Sequence, residues 1–288
     1  MIDVTAYLRR IGVKVDGPPS VESLHLLHRA HAERVPYECM EIWLGRPTTV
    51  DPVESAARII RGRGGYCYHL NGAFSMLLKA LGYRVTRHRG GVQGHAGVPA
   101  NVDGGHLVLT VSGLPGPGNP GGRWLVDQGL GDAIHEPLPL VEGTYRQGPF
   151  TYGLRPSEVA PGGWRFDHDP RGDFLGMDFR AAPAEMPEFA AMHEFLSTSP
   201  ESGFVRVATI QRRDASGVDV MRGLVLTRLG DREHTLTART ERDYFEMLAD
   251  VFGLSLPDVT PAERAMLWLR LWTAHEKWSS SRRPLARP

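Results

Sequence analysis

The sequence predicts an α+β protein with a helical first third, a β-rich middle and a mixed helix–strand end. Three observations predict it. Apolar residues recur at spacings of three and four through residues 1–84. Short apolar runs separated by Gly/Pro clusters fill residues 85–182. A helical connector, strand-like runs and two capped helical segments make up residues 183–288. With 288 residues, 41% of them hydrophobic and 23% charged, the chain is long enough for two or three subdomains around real cores.

The elements follow in chain order. In "SVESLHLLHRAHAE" (20–33), Leu24, Leu27 and His31 share one helical face, and Ser20 is placed to cap it. Residues 52–61 have the same texture. In "RGRGGYCYHLNGAFSMLLKALGY" (61–83), Leu70, Phe74, Leu77, Leu78 and Leu81 repeat at three and four, and Gly82 stops the helix. These segments predict a small helical bundle. From Arg84 onward "YRVTRHRGGVQG", "HLVLTVSG", "RWLVDQGLG" and "WRFDHDP" read as strands. "SGLPGPGNPGG" (112–122) is the loop of a hairpin, and the whole region is expected to form a β-barrel. After Pro183, "AEMPEFAAMHEFLS" is a helical connector. Strands are expected in "FVRVATIQRR", "DVMRGLVLTRLG" and "EHTLTART". Thr240 caps a helix whose apolar stripe is Tyr244, Phe245, Leu248, Val251 and Phe252. Thr260-Pro261-Ala262-Glu263 is a capping box with proline at the first helical position. The tail "SSSRRPLARP" is expected to fray.

Composition excludes several function classes. Lys+Arg 33 balances Asp+Glu 33, so no strong field draws the chain to nucleic acid or an anionic membrane. The start lacks the apolar stretch of a signal peptide, and no apolar run is long enough to span a bilayer. Two cysteines, Cys39 and Cys67, make no disulfide framework and suit free thiols in a reducing cytoplasm. "RGRGG" lacks the Lys-Ser/Thr of a phosphate loop. The twelve histidines form no HxxxH paired with a carboxylate, and no CxxC exists, so no metal is expected. His168 in "FDHDP" reads as part of a polar turn, and "SRRPLAR" as a solvated tail.

Cys67 carries the chemistry. It opens a helix, among unpaired N–H groups at the positive end of the helix dipole. A thiol in such a place gives up its proton more readily, and the thiolate is the nucleophile. Gly64 and Gly65 clear side chains from beside it, and the free amides suit an oxyanion. Taken alone, Cys67 reads equally as a small buried hydrophobe. A nucleophile needs a base, and the base needs an orienting group. His106 opens the strand "HLVLTV", and Asp127 closes the next one. A hairpin brings both to the same end of adjacent strands, where the carboxylate fixes the imidazole tautomer. Spacing also allows a solvent-facing strand-edge histidine and a turn aspartate.

The blocks "RGGYC", "HLVLTV" and "WLVDQGLG", in this order, resemble the three signature blocks of the arylamine N-acetyltransferase family. "VPYECMEIWLGR" (35–46) and "STSPESGFVRVATIQRR" resemble two further blocks, so the similarity covers roughly residues 20 to 255. The resemblance implies a helical bundle, a β-barrel and an α/β lid, the first two arranged as in a papain-type cysteine protease. It implies a Cys67-His106-Asp127 triad and ping-pong transfer of acetyl from acetyl-coenzyme A, without a metal, to an arylamine, hydrazine or related amine. Partners are then small molecules, with neither nucleic acid nor membrane, and the protein is a monomer or homodimer. Glu38 and Arg63 match a structural ion pair, Asn71 a supporting residue and Gly129 a glycine beside the acyl pocket. Tyr37 and Leu130 match pocket positions where the family commonly has Phe, so an aromatic face is given up at Leu130. His69 stands where Glu or Gln is usual, and reads as a solvent-facing change rather than a second titrating group. Two alternatives use the same triad: an amide synthase releasing or cyclising a chain from a thioester, and a cysteine hydrolase.

Overall fold

The structure, a computed structural model, describes residues 2–282. Its first third is helical: α1 (Val4–Ile11), α2 (Val21–Arg34), α3 (Met40–Leu44), α4 (Pro52–Ile60) and α5 (Cys67–Ala80). The start signals act as expected. Ser20 accepts a hydrogen bond from Ser23 N–H, Asp51 caps α4 ahead of Pro52, and Gly82 adopts a left-handed φ of 90° just past α5. One short strand, β1 (Tyr37–Glu38), interrupts this region. Two residues carry no period, so nothing local announces it.

The middle of the chain forms eight antiparallel strands: β2 (Arg84–Gln93), β3 (His106–Ser112), β4 (Trp124–Val126), β5 (Leu138–Pro139), β6 (Gly143–Gln147), β7 (Phe150–Pro156), β8 (Trp164–Asp167) and β9 (Gly176–Pro183). Their order, β5-β4-β3-β2-β9-β8-β7-β6, curls into a nearly closed barrel. Strand β3 is buried on both faces. Leu107, Leu109 and Val111 join the core of the helical bundle, whereas Val108 joins the barrel interior. That double burial explains its unbroken apolar run.

The lid begins with a 3₁₀ turn (Met186–Phe189), α6 (Ala190–Thr198) and α7 (Gly203–Arg206). It continues with β10 (Thr209–Asp214), β11 (Gly217–Arg222), β12 (Val225–Gly230) and β13 (His234–Thr237). It closes with α8 (Glu241–Phe252) and α9 (Pro261–Arg282). The expected strand "FVRVATIQRR" therefore starts later than its apolar pattern suggests. Ser202 caps α7 by accepting from Phe204 N–H, and extension resumes only at Thr209. The expected fraying of the tail is also corrected for its first residues. Helix α9 runs on to Arg282, and within it Ser279 and Ser280 donate their hydroxyls to carbonyls four residues back and Ser281 to that of Trp278. Residues 283–288 lie outside the described residues. Strand β1 pairs with β10, Tyr37 opposite Gln211 and Glu38 opposite Ile210. The lid sheet is thus stitched to the segment that precedes the Cys67 helix.

Candidate active site

The loop before Cys67 is held by close backbone contact. Glu38 N–H donates to Gly65 O at 2.9 Å, and a Cβ on Gly64 would lie 2.0 Å from Pro36 O. Only glycine fits there. Cys67 is the first residue of α5 and is 4% exposed. The first N–H groups of a helix have no intrahelical acceptor, so they lie beside the thiol ready for developing negative charge.

The β3–β4 hairpin supplies the rest. Leu109 pairs with Val126, so Asp127, one residue past β4, reaches back along β3 toward His106. His106 Nε2 lies 2.8 Å from Asp127 Oδ2. Asp127 Oδ1 accepts from Asn71 Nδ2 at 2.7 Å and from Gly129 N at 2.8 Å. Asn71 also donates to Leu107 O and accepts from Gln128 N, locking the turn to α5. With Nε2 committed to Asp127, Nδ1 is left to face Cys67. Burial alone would push the His106 pKa down. The Asp127 carboxylate and the Cys67 side chain outweigh it and raise the pKa to about 10. The ring is therefore held as imidazolium beside the Cys67 side chain.

The remaining sequence-expected residues fall into three groups. Gly129 packs directly on the nucleophile, since a Cβ there would lie 2.5 Å from Cys67 Cα. Leu130 is buried among barrel residues beside a void of about 20 Å³ that Tyr37, Gln128 and Gln211 also line. Tyr37 meets Phe204 edge-on at 6.2 Å, and Phe204 also packs on Tyr66 at 5.0 Å. The sequence reading did not single out Phe204, although it lies in the quoted block "STSPESGFVRV". A larger cavity of about 420 Å³ opens between the lid sheet and α9. Its walls include Asp173, Arg222 and Val220, with Trp43, Arg206 and Trp278 at the sides. Gln211 donates to Asp173 at 2.6 Å, so it stands between this cavity and the Tyr37 void.

Two expectations are corrected. Arg63 does not pair with Glu38. Its Nη2 meets Glu41 Oε1 at 2.7 Å and its Nη1 meets Asp258 at 3.2 Å. Glu38 instead accepts from Met40 N and Gly64 N, acting as a backbone brace. Arg63 thus ties the active-site loop to a lid residue far along the chain. Removing it takes the nearest cation from the half-buried Glu41, leaving the more distant Arg58 and Arg46, at a cost of about 1–3 kcal/mol. Arg63→Ala is expected to lower the melting temperature sharply while surviving folded protein keeps near-normal acylation. An unchanged melt with lost acylation would contradict this. His69 is not solvent-facing: it is 2% exposed, with Nδ1 3.4 Å from Tyr66 N and the ring 4.3 Å from that of Tyr66. The second cysteine contrasts with the first. Burial pushes Cys39 up to about 12, and its sulfur sits among the carbonyls of Phe204, Val207 and Thr209.

Three buried histidines set an acid limit. Burial, the largest cause in each case, lowers His28 to about 4, His31 to about 3 and His69 well below its ordinary value. The unfolded chain binds these protons below about pH 6.5, while the folded chain refuses them until much lower. Their stabilisation is present above about 6.5 and lost as the pH falls toward 4. The raised His106 has the opposite sign, but its contribution is already complete below 6.5. The unfolding free energy is expected to fall steadily between about pH 6.5 and 4.5, by on the order of a kcal/mol or more per histidine, and the melting temperature with it. A flat series of melts would refute it. Among the described residues, no group of three or more His, Cys, Asp or Glu is arranged to hold a metal ion. No helix among them is long and apolar enough to cross a membrane.

The chain is similar to known proteins in sequence and in overall fold. A family model described as N-acetyltransferase matches residues 20–260. The chain is 29% identical over 272 residues to an arylamine N-acetyltransferase of Mycolicibacterium smegmatis, covering 90% of this chain and 94% of that protein. It is 26% identical over 284 residues to arylamine N-acetyltransferase 1 of Oryctolagus cuniculus, covering 88% and 95%. Among solved structures, the arylamine N-acetyltransferase of Mycobacterium marinum in complex with CoA matches with a TM-score of 0.81. It has 27% identity and covers 94% of this chain and 99% of that one. The enzyme of Mycobacterium abscessus matches with a TM-score of 0.81 at 26% identity, covering 94% and 95%.

Proposed function

The chain belongs to the arylamine N-acetyltransferase family, and from that membership we propose that it carries acetyl from acetyl-coenzyme A to an arylamine, hydrazine or related amine through acetyl-Cys67. The observation that carries the reading is the His106–Asp127 contact of 2.8 Å, with Cys67 facing the same imidazole from the first turn of α5.

The Cys67 thiolate attacks the thioester carbonyl, and the helix amides receive the oxyanion. The carbon–sulfur bond of the donor breaks, and coenzyme A leaves with the proton of His106. Attacking and leaving thiolates are of similar basicity, so this exchange is nearly balanced. The amine then attacks acetyl-Cys67 while His106 takes its proton. The amide forms, and the sulfur is released as thiolate beside the again protonated ring. Asp127 holds the imidazole and compensates its charge throughout. Enclosure of Cys67 keeps bulk water from the acyl-enzyme, which favours transfer over hydrolysis. Tyr37, Leu130 and Phe204 are the side chains we assign to the acceptor wall. Both cysteines are free thiols, which suits the cytoplasm as the proposed compartment.

The test is to mix the protein with acetyl-coenzyme A, with and without an aromatic amine, and follow thiol release and the mass of the protein. Amine-dependent release through a singly acetylated protein is expected. Fast release without amine would replace this reading with a hydrolase. Acetylation that stalls across a panel of anilines and hydrazines would replace it with an amide synthase.

A further inference from the structure

Behind Asp127 lies a buried imidazole that the acyl-transfer steps leave without a role. His28, on α2, is fully enclosed. Its Nδ1 lies 2.9 Å from His135 O, and its Nε2 lies 3.3 Å from the main-chain N of Asp127. A carbonyl only accepts and a peptide N–H only donates, so these partners select one tautomer, with the proton on Nδ1 and the lone pair on Nε2. The carbonyl of His28 accepts from Gln128 Nε2 at 3.0 Å. One residue of α2 therefore grips two consecutive residues of the Asp127 turn. Phe74 stands edge-on to the ring at 6.1 Å and 82°, which limits its rotation.

Asp127 is held at its carboxylate by Asn71, Gly129 and His106, and at its main chain by His28. The carboxylate contacts decide where the oxygens point once the turn is placed. The main-chain contact decides where the turn sits. We infer that His28 is a positioning residue of this triad: the lone pair on its Nε2 holds the Asp127 main chain where the carboxylate meets His106. The inference rests on the triad reading above. His28 meets neither substrate nor reacting atoms. Its titratable neighbours are Asp127 on the hairpin, His135 on the barrel loop, and His25 and His31 on its own helix. Burial outweighs them and keeps the ring neutral, as the lone pair requires.

Two substitutions separate its bonds. Asn sets an amide near the Nδ1 position, where it still donates to His135 O but leaves Asp127 N–H without an acceptor. Gln extends its carbonyl to the Nε2 position and restores that acceptor. The readout is the rate of Cys67 alkylation by iodoacetamide against pH, with a thermal melt of each variant. Alkylation needs neither donor nor acceptor, so it tests positioning whatever the substrates are. Acetylation by acetyl-coenzyme A, measured alongside on the wild type, tests the functional reading separately. His28→Asn is expected to move the profile to higher pH and slow alkylation near pH 6 by about tenfold or more, with His28→Gln within about threefold of wild type. An unchanged profile in folded His28→Asn, or equal loss in both variants, overturns the inference. Should His28→Asn not fold, nitrogen NMR of the wild-type imidazoles decides. An unprotonated Nε2 on His28 supports it, and a protonated one overturns it.

Discussion

Asp127→Asn is expected to lower kcat/KM for acetyl transfer by about 10³–10⁴-fold while leaving the fold intact. The substitution changes one atom's hydrogen-bonding sense. Oδ1 already accepts from Asn71 Nδ2 and Gly129 N, so the new side chain must keep its carbonyl there. Its amide nitrogen then takes the place of Oδ2, 2.8 Å from His106 Nε2. An amide N–H donates, so His106 must present a lone pair at Nε2 and carry its proton on Nδ1. The nitrogen facing Cys67 is then a donor and cannot take the thiol proton. The charge that outweighed burial is gone too, so the ring no longer favours imidazolium. Single-turnover acetylation and a thermal melt check both halves of this statement. Alkylation of Cys67 at high pH should persist, since the sulfur is still present. A folded variant that acetylates within tenfold of wild type would remove Asp127 from the mechanism.

The same residues show what was legible in the sequence. Cys67, His106 and Asp127 are candidates in the sequence because each sits at an element boundary with its own local signal, and the family resemblance is what joins them as a set. Cys67 follows a glycine pair at a helix start, His106 opens a fully apolar strand, and Asp127 closes a strand before Gly129. The hairpin joining the last two is a local contact, so its register needed no knowledge of the rest of the fold. Long-range partners were not legible. Arg63 meets Asp258, 195 residues on, and β1 pairs with a strand more than 170 residues later. No local pattern encodes either contact, and the resemblance alone supplied Glu38 as the wrong partner for Arg63. His69 is a case where polarity in the sequence does not mean exposure in the fold. At the third position of a buried helix start, the ring instead packs inward, tilted against that of Tyr66. His28 carries a signal of the same kind: the helical series from Leu24 through Leu27 to His31 places it on the inward face. An inward histidine needs partners, and asking for them would have exposed it.

The last prediction concerns Gly129, whose glycine the resemblance placed beside the acyl pocket and whose reason the structure makes steric. A Cβ there would lie 2.5 Å from Cys67 Cα, 2.7 Å from Cys67 Cβ and 3.0 Å from Asn71 Nδ2. Carbon atoms in contact rest about 3.5–4.0 Å apart, so the turn and the first residue of α5 must separate by roughly an ångström. Neither can yield alone. Cys67 is bound into α5, and Gly129 N–H is bound to Asp127 Oδ1 at 2.8 Å. Gly129→Ala therefore pushes the nucleophile away from His106 and strains the carboxylate that orients the same ring. Overpacking of this kind costs about 1–3 kcal/mol of stability, and an ångström of misplacement costs about 10²-fold in rate. The expected variant melts several degrees lower and acetylates Cys67 about a hundredfold more slowly, with aniline KM affected far less than the first half-reaction. Gly121→Ala is the control, since a Cβ there meets nothing within 4 Å. If Gly129→Ala acetylates within threefold of that control, the backbone contact between the hairpin and α5 is not what holds Cys67 against His106.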